Sequence, residues 1–340
     1  MRMNEREFEI TGVKLWHDLG YTGKGINIAN LEHTARDEPW FDGKFNDPFD
    51  ISSGYGHGGQ VLDITHQVLP RAGLYILPTG MSHINGVSNG PFVEQTIPLI
   101  KEKIDLVGQS METQAINRMR DALIEEQHDN STWVVSAGNG TYDYFNRKGR
   151  NNVRFSVGAV HLNNEGRIVR ARYSSVGDEM DFMSFSNLYV NFGDGRPRKM
   201  IGTSFSSPLL KGMIGLVKEH FIEKTGIRLN HWQSYKFVRD HCTPMGDKRY
   251  YGYGLFILPE PEKIDIPKYI DGEEIPMKDI KGIYGEDAIR RMAAKGILEG
   301  FPGGEFKPGK KLSREQMAIV LDRYDKYQEE KFKQLLKEQQ

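Results

Sequence analysis

The run Gly202-Thr203-Ser204-Phe205-Ser206-Ser207-Pro208 delivers a serine to the start of an apolar helical stretch. A hydroxyl in the first turn of a helix lies beside backbone N–H groups without intrahelical acceptors, at the positive end of the helix dipole. It becomes a nucleophile only when a base takes its proton. His57 can be that base, because His57-Gly58-Gly59 opens another helical pattern and an imidazole with a reference pKa of about 6.5 accepts protons in the right range. The helix start is expected to hold that imidazole neutral. Glu32, at the end of the alternating run Ile26–Leu31, supplies an acid. Acid, histidine and serine in this chain order describe nucleophilic acyl transfer. Cys242, the one cysteine, is a weak alternative nucleophile and reads as a small, partly buried apolar residue that forms no internal disulfide.

These side chains need a scaffold that brings distant segments together. Between Gly25 and about Leu258, short apolar runs alternate with helical patterns. Strands are predicted at Ile26–Leu31, Leu74–Leu77, Ile104–Gly108, Thr132–Ala137 and Val153–Val157. Helices are predicted after His57, over 93–103 and over Gln114–Gln127. Such alternation argues for an α/β fold with a mostly parallel sheet flanked by helices. Sites in these sheets lie at the carboxyl ends of strands, and Glu32 and Asn139 each follow a predicted strand. The 340 residues allow one large core plus a small module. The formal net charge of −1 gives no reason to expect nucleic acid or an anionic membrane as a partner. No apolar run approaches the roughly 18 residues of a membrane span.

Four motifs then stand in register. Gly202-Thr203-Ser204, Gly56-His57-Gly58, Ser136-Ala137-Gly138-Asn139-Gly140 and Tyr251-Gly252-Tyr253-Gly254 together resemble the subtilisin-like serine proteases across about residues 10 to 258. The resemblance implies Ser204 as nucleophile, His57 as base and Asn139 as oxyanion donor, with the backbone N–H of Ser204 as a second donor. It also implies a substrate strand pairing beside residues 107–112, with Gly108, Ser110, Glu112, Ala137 and Gly138 at the substrate. The chain departs from the family at the acid. Glu32-His33-Thr34 replaces aspartate, a small residue and glycine, and the longer side chain calls for a strand shift or a bent side chain. Asp37 and Asp42 are less favoured acids in the loop beyond. Glu112 stands where the family has glycine, Lys211 where it has a small apolar residue, and Phe205 where methionine is common.

Leu258-Pro259-Glu260-Pro261 and the prolines to Pro276 mark the best domain boundary. The expected order is a protease domain at 1–258, a linker at 259–276, a compact module at 277–325 and a charged tail at 326–340, either a frayed helix or disordered. In the module, Ala293-Ala294-Lys295-Gly296-Ile297-Leu298, Gly300-Phe301-Pro302-Gly303-Gly304-Glu305-Phe306-Lys307-Pro308 and Leu312-Ser313-Arg314-Glu315-Gln316 resemble a single S-layer homology repeat. That resemblance makes Arg314 the contact to anionic cell-wall polysaccharide. Ser313 with Gln316 spells a capping box. Because the family carries three repeats, either three chains combine as a homotrimer or the module contacts another protein.

The expectation is a serine endopeptidase acting on protein or peptide through an acyl-enzyme, with a catalytically weakened binding or assembly protein as the alternative. No cofactor and no metal ligand set is expected, and a structural calcium is left open. The N-terminal nine residues have no apolar core and do not form a secretory signal. A cytoplasmic location, or release by lysis or in a phage particle, is therefore expected, while the repeat points to the cell envelope.

Overall fold

In a computed structural model of the chain, all residues are described except 1–2, 33, 53, 80–82, 85–86, 89, 111–115, 117–122, 124–129, 141–154, 178–179, 195, 271–278, 281–287, 290–291, 294–295, 299, 301–304 and 339–340. The strands are β1 (Asn27–Leu31), β2 (Phe45–Asn46), β3 (Gly73–Leu77), β4 (His83–Ile84), β5 (Val87–Ser88), β6 (Leu106–Gln109) and β7 (Thr132–Ser136). They continue as β8 (Phe155–Leu162), β9 (Ile168–Arg170), β10 (Phe182–Phe185), β11 (Leu188–Val190), β12 (Arg198–Met200), β13 (Cys242–Thr243) and β14 (Leu255–Phe256). Most of the predicted helix at Gln114–Gln127 lies outside the described residues.

Ten strands form one sheet in the order β13-β14-β10-β8-β7-β6-β1-β3-β2, with β9 added to β8. The pairs from β2 through β14 are parallel, and only β13 and β9 pair antiparallel. All four residues of β6 and the first four of β7 are buried, as in parallel sheets covered on both faces. The chain leaves β1 toward β3 on one side and returns to β6 on the other. That reversal opens a crevice beyond the carboxyl end of β1, where open α/β sheets place their ligands.

The Thr203–Thr225 helix, 23 residues long, is buried along most of its length and packs against β6, β7, β8 and β10 and on the His57–Val68 helix. A helix covered on all sides is apolar all round, yet this one also buries Lys211 and Lys218. Small residues set its distance from the histidine helix. A Cβ at Gly212 would lie 2.7 Å from Val68 Cβ. The buried Glu219 carboxylate accepts the backbone N–H groups of Thr22, Gly23 and Lys24 at 2.6–3.1 Å, which fixes the turn leading into β1. The start and end of this unit meet where Trp16 Nε1 donates to the Pro259 carbonyl at 2.8 Å.

The chain divides into two compact units, one made of Met1–Ala122, His128–Arg150 and Arg154–Ile264, the other of Leu123–Gln127, Asn151–Val153 and Asp265–Gln340. In the second unit, Ile280 and Ala293 are buried, with Ile289 and Phe306 packed against them. Asp279 accepts the backbone N–H groups of Phe306 and Lys307, each at 2.6 Å. The capping box forms as spelled: Gln316 N donates to Ser313 Oγ at 3.0 Å and Ser313 N to Gln316 Oε1 at 2.9 Å. The helix it opens runs Arg314–Glu338, so the charged tail from residue 326 continues as helix. Among the described residues, no helix is long and apolar enough to cross a membrane.

The Tyr-Gly-x-Gly motif has a steric reason. Gly254 has φ +112°, and a Cβ there would overlap the carbonyl oxygen of Thr243 on β13. Replacing Gly254→Ala is expected to lower the unfolding free energy by at least about 2 kcal/mol, measured by urea denaturation.

Candidate active site

Glu32 directly follows β1. Its N–H donates to the Leu77 carbonyl at 3.3 Å, so β3 holds the chain up to the acid. The register of β1 with both neighbours runs unbroken through Leu31. Glu32 is 0% exposed, and its Oε2 accepts a hydrogen bond from His57 Nδ1 at 3.1 Å.

His57 is the first residue of the His57–Val68 helix. That helix start is tied to the acid's own loop: the Thr34 carbonyl accepts from Gly56 N at 2.7 Å and from Gly59 N at 3.3 Å. Thr34 adopts φ +58°, a left-handed conformation costly for a β-branched residue, at the position where the family resemblance places glycine. Asp37 is exposed and the Asp42 side chain is 89% exposed, so neither competes with Glu32 for the imidazole.

The electrostatics of His57 differ from the expectation of a neutral imidazole. Burial alone pushes its pKa down, but the hydrogen bond and the negative charge of Glu32 outweigh burial and raise it above 6.5. The ring also meets Phe205 edge-on, with centroids 6.0 Å apart, so Phe205 fills one flank of His57.

Ser204 is the second residue of the Thr203–Thr225 helix and half-buried. The turn before it is pinned from two sides. Thr203 N and Thr203 Oγ1 donate to Asn139 Oδ1 at 2.9 and 3.0 Å, and Gly202 N donates to Tyr173 Oη at 3.0 Å. Gly138 N donates in turn to Thr203 Oγ1 at 3.1 Å. A backbone N–H is an obligate donor, so Oδ1 must face Thr203 and Nδ2 is the end left for an outside acceptor. That end lies beside the turn that leads to Ser204, since a Cβ at Gly202 would come within 3.4 Å of Asn139 Nδ2. Thr203 and Tyr173 were not singled out from the sequence. Only the threonine inside Gly-Thr-Ser hinted at such a fastener.

The structure thus joins Glu32 to His57 and Asn139 to the turn that carries Ser204, and Phe205, the next residue in the chain, lies edge-on to His57. Ser110, half-buried, follows β6, and Ala137 and Gly138 follow β7. Gly108 is placed differently from its expected role. It lies inside the sheet, in register with Asn30 on one side and Val134 on the other. Because β1 and β7 occupy both edges of Val107–Gln109, an added substrate strand could pair only from Ser110 onward. Glu112 lies outside the described residues. Arg314 belongs to the second unit, where it is exposed. Burial pushes the Cys242 thiol far up, which leaves it inert. Among the described residues, no group of three His, Cys, Asp or Glu side chains gathers as a metal site.

Residues 276–318 match the model of the S-layer homology domain. No curated protein sequence matches the chain. Among solved structures, a lanthipeptide protease is similar with a TM-score of 0.59 at 14% identity, covering 76% of this chain and 93% of that one. The prenylagaramide maturation protease PagA is similar with a TM-score of 0.58 at 16% identity, covering 77% of this chain and 98% of that one. At such identities the likeness is one of fold. The chain combines a subtilisin-like fold with an S-layer homology domain at residues 276–318.

Proposed function

We propose that the chain is a serine endopeptidase in which Ser204, His57 and Glu32 act as nucleophile, base and acid. The observation that carries this reading is the 3.1 Å hydrogen bond from His57 Nδ1 to the buried Glu32. It fixes the tautomer that leaves Nε2 to take the Ser204 proton, and it balances the imidazolium that results. Ser204 Oγ attacks the peptide carbonyl. The oxyanion is received by Asn139 Nδ2, whose orientation Thr203 sets, and by the backbone N–H of Ser204. His57 then protonates the leaving amine, and water releases the acyl group by the same route in reverse. Both similar structures are named as proteases, which supports a peptide substrate.

On this reading, Ser204→Ala abolishes hydrolysis of a peptide library. Asn139→Ala lowers kcat by about 10²–10³-fold. Turnover by Ser204→Ala equal to wild type would sink the proposal.

The pH profile carries the sign of the Glu32 contact. Because Glu32 raises the His57 pKa and the base must be neutral, kcat/KM should rise with pH through a midpoint above 6.5. In Glu32→Gln the carboxylate charge is gone and burial remains, so the midpoint should fall below 6.5. The plateau should drop by as much as about 10⁴-fold. A midpoint that does not move contradicts the assignment of the acid.

The S-layer homology domain suggests attachment to the cell envelope through anionic wall polysaccharide, with the exposed Arg314 as a contact. The full chain should sediment with purified cell walls. Arg314→Ala should weaken that binding by about tenfold or more, the loss of one charge-assisted hydrogen bond.

A further inference from the structure

The two donors assigned to the oxyanion come from different elements. Asn139 lies in the loop after β7, and the Ser204 N–H belongs to the first turn of the Thr203–Thr225 helix. Thr203 ties the two directly. A second tie runs through a segment outside both, Tyr173-Ser174-Ser175.

Gly202 is buried, and a buried backbone N–H must find an acceptor. It finds Tyr173 Oη at 3.0 Å. Because the N–H can only donate, the phenol oxygen accepts, and its own proton is left for Ser186 Oγ at 2.6 Å or Asn187 Oδ1 at 3.3 Å. Ser186 is 1% exposed, and its N–H donates to the Val160 carbonyl of β8 at 2.8 Å. The phenol is therefore held from the sheet.

Two residues on, the same segment grips the loop of the other donor. Ser175 N donates to the Gly138 carbonyl at 3.0 Å, and Ser175 Oγ accepts from Gly140 N at 3.3 Å. The residues on both sides of Asn139 are thus bonded to Ser175. Ser174 anchors the segment between them, its Oγ accepting from Ala159 N of β8 at 3.1 Å. Both serines are fully buried. A ring closes from Gly202 to Tyr173, along the chain to Ser175, on to Gly138, and back through Gly138 N to Thr203 Oγ1. Two donors serve one oxyanion only when both reach it at about 2.7–3.1 Å, and a misplacement of about 1 Å can cost as much as 10²-fold.

We propose that Tyr173 and Ser175 are positioning residues: the Tyr173 hydroxyl holds the Gly202 peptide, Ser175 holds the peptides flanking Asn139, and together they keep Ser204 in register with its oxyanion partner. The inference rests on the protease reading. Tyr173→Phe removes one oxygen and keeps the ring. In the full chain, kcat and KM for a peptide substrate are measured with the rate of fluorophosphonate labelling at Ser204. The expected result is a loss of about tenfold in kcat and in labelling rate, the effect of one hydrogen bond, with KM unchanged. A folded Tyr173→Phe with the wild-type kcat and labelling rate overturns the proposal even when it melts at a lower temperature, because the hydroxyl then serves stability alone.

Should Tyr173→Phe fail to fold, Ser175→Ala decides by cutting the other tie. Reduced kcat at constant KM supports the proposal, and wild-type kcat overturns it. A wild type that is neither labelled nor active removes the protease reading and this proposal with it, whereas an active wild type with unaffected variants removes this proposal alone.

Discussion

A carboxylate with no exposed surface must be held by its surroundings, and the arrangement around Glu32 organises the rest of this site. The β1–β3 pairing carries the chain to the acid. The Thr34 carbonyl then turns the same loop into the anchor of the histidine helix. These contacts tie β1, the loop after it and the His57–Val68 helix together, and that helix packs in turn on the Thr203–Thr225 helix that begins with Thr203 and Ser204. The close approach of those two helices at Gly212 and Val68 sets their spacing.

Much of this was legible in the chain. Parallel strands covered on both faces are continuous apolar runs, so β1, β3, β6 and β7 could be read within a few residues. Glu32, His57, Asn139 and Ser204 fall at the element ends where such folds place chemistry. The capping box at Ser313 and Gln316 was legible because it depends on two residues three apart.

Other features depend on contacts that no local pattern records. Thr203 in a small-residue turn looks the same whichever way its hydroxyl points, and only the fold turns it onto Asn139. Gly108 reads as a substrate-facing glycine until the register with Asn30 and Val134 puts it inside the sheet. The raised His57 pKa was missed for a related reason: a helix terminus is visible in sequence, whereas a carboxylate 25 positions away enters only through tertiary structure. The tail beyond residue 326, mostly charged, carries no core-facing signal that separates a solvated helix from disorder.

The central claim is that Ser204 is an activated nucleophile in this setting. Intact-mass analysis after treatment with a fluorophosphonate, followed by peptide mapping, tests it most directly. The account predicts one covalent adduct per chain, located on Ser204 and absent from Ser204→Ala. A folded wild type that stays unmodified, or an adduct placed on another residue, would contradict it.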